Sequence, residues 1–122
     1  MFLRIRDDMD AIEAGWERLE SIVPVQGRKF YGAFFARSKE YWVCTQLQDG
    51  DDPGSLGLDT GTLPGGTYLR VELRGEPPEV YERIAPTFDG LAKGAPVDES
   101  RPGIEFYRRR NEIDLLLPIR TG

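Results

Sequence analysis

Residues 34–47 read FFARSKEYWVCTQL, and residues 106–119 read FYRRRNEIDLLLPI. Laid together without a gap, Phe34 meets Phe106, Arg37 meets Arg109 and Glu40 meets Glu112. Phe35 meets Tyr107 and Val43 meets Leu115. Each stretch is an apolar run, a short polar turn and a second apolar run, the pattern of a β-hairpin. The match extends outward: Leu3-Arg4-Ile5 corresponds to Leu69-Arg70-Val71, and Trp16-Glu17-Arg18-Leu19 to Tyr81-Glu82-Arg83-Ile84. Three identities in fourteen positions mean little alone, but the shared order of elements makes an internal duplication the expectation.

The remaining elements follow from periodicity. Residues 2–6 read as a strand. Asp7 and Asp8 offer an N-cap to a helix over about 9–22, with Met9, Ile12, Trp16, Leu19 and Val23 on one stripe and Pro24 as its stop. Strands are expected at 29–36 and 41–48. Gly, Pro and Asp then crowd residues 49–66, which read as a loop with a short paired stretch near Leu56–Leu58. A strand at 68–73 precedes a helix over about 78–92, carrying Tyr81, Ile84, Phe88 and Leu91, with Pro86 expected to kink it. Strands at 103–109 and 112–119 close the chain around a turn at Arg110-Asn111. The expected fold is one α+β domain, residues 1–122. A βαββ unit spans about 1–48, a linker 49–66 and a second βαββ unit about 67–120. An antiparallel sheet carries both helices on one face.

Composition narrows the chemistry. The 122 residues suffice for one core. Sixteen Lys and Arg face 21 Asp and Glu, a net charge of −5 that suits cationic partners and argues against direct nucleic-acid binding. There is no His, which removes His-based triads and His-ligated metal sites. The single Cys44 forms no internal disulfide and reads as a small buried filler. Asp49, Asp51 and Asp52 lack the spacing of a calcium loop, and Gly61, Gly65 and Gly66 that of a phosphate-binding loop. No cofactor or metal is implied. The N-terminus has no signal-peptide pattern and no run spans a bilayer, so a cytoplasmic protein without a membrane anchor is expected.

Alternation assigns the sheet faces. The helix-facing set reads as Tyr41, Val43, Leu47, Leu69, Val71, Leu73, Ile104, Phe106, Ile113, Leu115, Leu117 and Ile119. The other face then carries Tyr31, Ala33, Phe35, Trp42, Cys44, Tyr68, Arg70, Glu105, Tyr107, Asp114 and Leu116. An aromatic sheet face with embedded carboxylates reads as a binding surface. Glu105, mid-strand among rings, is the residue to single out: a lipophilic organic cation would relieve its desolvation. The plainer alternative is a structural ion pair with Arg70 or another Arg of the sheet.

Two segments resemble the GyrI-like ligand-binding domain, the effector module of AraC-type and MerR-type multidrug-sensing transcription regulators, also found alone. One is Leu63-Pro64-Gly65-Gly66-Thr67-Tyr68 leading into a strand that ends at Gly75; the other is Pro102-Gly103-Ile104-Glu105-Phe106-Tyr107 followed by Leu115-Leu116-Leu117-Pro118-Ile119. The resemblance implies two pseudo-two-fold βαββ units with a ligand cleft between them. It implies a buried glutamate at Glu105, and motif tyrosines at Tyr68 and Tyr107. Trp42, Phe35 and Tyr31 join that pocket by face parity. The chain carries no DNA-reading helix-turn-helix, so a stand-alone drug-binding, sensing or sequestering protein is expected. Two other functions stay open. One is a GyrI-like hydrolase of strained, cyclopropanoid electrophiles with Glu105 and Tyr107 as catalytic residues. The other is a module whose aromatic face meets a protein partner or a second copy.

Overall fold

The computed structural model describes residues 1–120. The chain begins with β1 (Phe2–Arg6), whose Leu3 and Ile5 face inward. Asp8 then caps α1 (Met9–Ile22), its carboxylate accepting from the Ala11 amide at 2.8 Å. Gly15 lets this helix settle on the sheet: a Cβ there would stand 2.8 Å from Ile5. Met9, the first member of the expected stripe, is 71% exposed, because the helix meets the sheet only from its second turn.

Strands β2 (Phe30–Phe35) and β3 (Glu40–Thr45) form the first hairpin. Thr45 ends β3, so Leu47 lies beyond it and is exposed rather than helix-facing. The long connection holds one short turn of helix, α2 (Pro53–Leu56), capped by Asp52. Its only strand-like contact with the sheet among the described residues is Asp59 against Phe2, just past the expected pairing at 56–58.

Strand β4 (Tyr68–Arg74) leads to two short helices, α3 (Glu79–Glu82) and α4 (Ile84–Ala92), where one kinked helix was expected. The break falls at Arg83, not at Pro86. Pro86 lies in the first turn of α4, where its missing N–H is not needed. The second hairpin, β5 (Gly103–Arg109) and β6 (Glu112–Pro118), completes one six-stranded antiparallel sheet in the order β1-β3-β2-β5-β6-β4. The fold is α+β.

Both helical segments cover the same face, over two apolar clusters. Leu19 and Val23 pack with Leu3, Tyr41 and Val43, while Val80 packs with Leu73, Ile113 and Leu115. Across the central pair, Phe30 lies opposite Tyr107, Gly32 opposite Glu105, and Phe34 opposite Gly103. Leu115 lies on the other side of Glu105. Register therefore puts Glu105 and Tyr107 on the helix-covered face, with Ile104 and Phe106 on the opposite one. That reverses the parity expected for β5. The cause is a bulge: pairing slips between Tyr107 and Arg109, so Arg108 is an extra residue in β5 that the ungapped comparison of the hairpins carried through.

Candidate functional site

Glu105 sits in the middle of the central strand pair, where the two apolar clusters meet. It is 7% exposed. Two phenols hold it: Tyr41 Oη donates to Oε1 at 2.7 Å and Tyr107 Oη donates to the same oxygen at 2.6 Å. Tyr107 is two residues along β5 and so shares the face of Glu105. Tyr41 is on β3, with β2 lying between it and β5. Its ring reaches across because the intervening residue is Gly32. A Cβ on Gly32 would stand 1.9 Å from Tyr41 Oη and 2.9 Å from Glu105 Oε1.

Rings from both helical segments close around this trio. Trp16 of α1 meets Tyr107 edge-on, centroids 5.2 Å apart, and Phe30 at 6.3 Å. Tyr81 of α3 meets Tyr107 edge-on from the other side at 6.1 Å, and is itself 40% exposed. Tyr107 is thus flanked by one aromatic from each helical segment.

The carboxyl has hydrogen-bond donors but, among the described residues, no counter-charge. Burial pushes the Glu105 carboxyl above the usual carboxylate range, the two phenol donors pull it part of the way back, and Asp7 adds to the upward push. Burial and the facing carboxylate together push the Tyr41 and Tyr107 phenols well above their ordinary value, so both stay protonated and donate. The structural ion pair with Arg70 does not form. Arg70 bonds Asp114 at 3.2 Å on the opposite face, where Arg108 also approaches Asp114 at 3.4 Å. Among the described residues no Lys or Arg lies within ion-pair distance of Glu105, and no donor reaches its Oε2. Among the described residues, Trp42 Nε1 is a buried side-chain polar atom without a partner.

The expected six-residue pocket is divided by the sheet. Glu105 and Tyr107 come together on the helix side. Tyr31, Phe35, Trp42 and Tyr68 lie on the other face. There Trp42 stacks on Phe2 at 3.9 Å and touches Phe35 at 4.4 Å, and Tyr31 stacks on Phe106 at 4.8 Å. Leu63 packs on that aromatic group and Gly61 lies close to Phe2, so the linker covers part of it. Tyr68 donates to the Pro64 carbonyl at 2.7 Å beneath the Arg101 guanidinium, tying down the linker's end. Two shallow depressions of about 280 Å³ lie elsewhere, one beside Arg28 and Asp51, the other beside Gly15 and Arg18.

Sequence reasoning passed over Tyr41, Trp16, Tyr81, Phe30 and Gly32 as site residues. Two signals were present. A glycine inside an aromatic strand marks a close approach, and Trp16 matches Tyr81 in the internal repeat. Against protein-family models, curated proteins and solved structures, the chain finds no significant match. Among the described residues no helix is long and apolar enough to cross a membrane.

Proposed function

We propose that this chain is a stand-alone GyrI-like binding domain for small lipophilic, aromatic cations, held at Glu105 between two duplicated βαββ units. The carrying observation is a buried carboxylate that has two phenol donors on one oxygen and, among the described residues, no cationic partner and no donor on the other oxygen. The order β-α-β-β occurs before and after the linker apart from the split of the second helix, and the strand order reads alike from both ends of the sheet. On this reading the cleft lies along the β2–β5 junction, between α1 and α3. A cation seated at Oε2 would gain the carboxylate's charge and the faces of Trp16, Tyr107 and Tyr81, each ring contact giving about 0.5–2 kcal/mol. The net charge of −5 favours such ligands at a distance, an effect that salt screens.

The hydrolase reading uses the same two groups, but a Tyr107 phenol pushed upward in pKa is a poor proton donor to a leaving group. The partner-protein reading needs an open aromatic face, which the linker partly covers. The test is a calorimetric titration with benzyltrimethylammonium and with its neutral isostere neopentylbenzene. The cation alone should bind saturably, and Glu105→Gln should weaken it by about 1–3 kcal/mol, some five- to a hundred-fold in Kd. Trp16 should report the binding: Trp16→Phe removes the fluorescence change and Trp42→Phe keeps it. Equal binding of the neutral isostere, or unchanged affinity in Glu105→Gln, contradicts the reading.

A further inference from the structure

Resting on the cation-binding reading, we infer that the site discriminates among cations by their hydrogen-bonding shape, and that Tyr41, positioned by Gly32, sets the discrimination. The favoured class is onium cations whose charge is spread over alkyl or ring carbons, such as trialkylammonium-bearing aromatics. Guanidinium and amidinium ligands of the same size are rejected.

The argument concerns lone pairs. An ionised carboxylate offers about four acceptor sites, two on each oxygen. A guanidinium binds a carboxylate best with two parallel N–H bonds, one to each oxygen. At Glu105 both phenols converge on Oε1, at 2.7 and 2.6 Å, and so fill its two sites. The fork therefore has one open oxygen where it needs two. Any N–H group of the fork left without an acceptor would give up its water without compensation. An alkylated onium carries no such donors. It needs the carboxylate's field and no hydrogen-bond acceptor of its own, so one open oxygen suffices. The crowding at Oε1 is a product of the backbone: only a residue without a Cβ at position 32 leaves the Tyr41 hydroxyl that space.

The experiment compares benzyltrimethylammonium with benzylguanidinium, equal in charge and aromatic group, on the wild-type chain and on Tyr41→Phe. Wild type should prefer the onium ion at least about five-fold. Tyr41→Phe keeps the ring but frees a site on Oε1, so the preference should shrink or invert, mainly through tighter guanidinium binding. Tyr107→Phe, which frees the other site, should shift the ratio in the same direction and guards against a folding defect in the first variant. Equal affinities in wild type, both weakened in Glu105→Gln, overturn the discrimination while leaving the cation site standing. A ratio unmoved by both phenol variants removes Tyr41 as its source. Binding of neither ion overturns the site and the discrimination together.

Discussion

The sheet buries two carboxylates, one on each face, and treats them in opposite ways. Asp114 is 6% exposed and Glu105 is 7% exposed. Asp114 meets Arg70 and Arg108, and Arg108 further reaches Glu72, so its charge is neutralised within a network. Among the described residues, Glu105 receives hydrogen bonds but no positive charge. A chain selected only for stability gains nothing from the second arrangement, since a buried charge without a counter-charge costs free energy. The difference sets a carboxylate paired within the sheet against one that the proposed function holds ready for an outside cation.

The comparison is broken most severely at Gly32. Gly32→Ala forces the new methyl against Tyr41 Oη and Glu105 Oε1. It should lower stability by about 3 kcal/mol, at the upper end of the usual overpacking cost, and a urea melt would measure it. A melting midpoint near wild type would mean that Tyr41 does not reach across β2.

Removing each carboxylate's charge sharpens the contrast. Asp114→Asn strips Arg70 of its partner and Arg108 of one of its partners; both arginines are partly exposed, so the loss should be about 1–2 kcal/mol. Glu105→Gln should cost less and is expected to stabilise wherever the wild-type carboxyl is ionised. The pKa of Glu105 is raised in the folded chain, so the native state binds its proton more tightly than the unfolded state does. Wild-type stability therefore falls as pH rises from the ordinary glutamate range through the raised value. The advantage of Glu105→Gln should accordingly be full above that raised value and fade below the ordinary one. Denaturant melts at several pH values would show this, and equal losses for the two variants at neutral pH would erase the distinction drawn between the faces.

Much of this was legible in the residues. The element order, the helix cap at Asp8 and the apolar alternation of β4 and β6 follow from spacing, and the isolated charge of Glu105 among rings marks it without any structure. Which face Glu105 occupies was not legible. That depends on the bulge at Arg108, and an apolar–polar alternation cannot locate a bulge when both faces of the sheet carry apolar residues. Ile104 looks like core because it is buried, but on the face away from the helices, where Phe106 is half-buried against Tyr31. Tyr41 shows the same limit. Its ring is an ordinary core ring by spacing, and its role lies in the hydroxyl, whose reach depends on a glycine on the neighbouring strand.

The smallest effect is also the most direct. The Glu105 carboxyl can be followed by carbon-detected NMR as pH is varied, with and without saturating benzyltrimethylammonium. The free protein should show this carboxyl titrating above the ordinary glutamate range. The bound cation should move the titration downward, because a neighbouring positive charge favours the ionised form. A carboxyl that titrates at its ordinary value, or one that the bound cation does not move, would contradict the claim that Glu105 is a charge waiting for an outside partner.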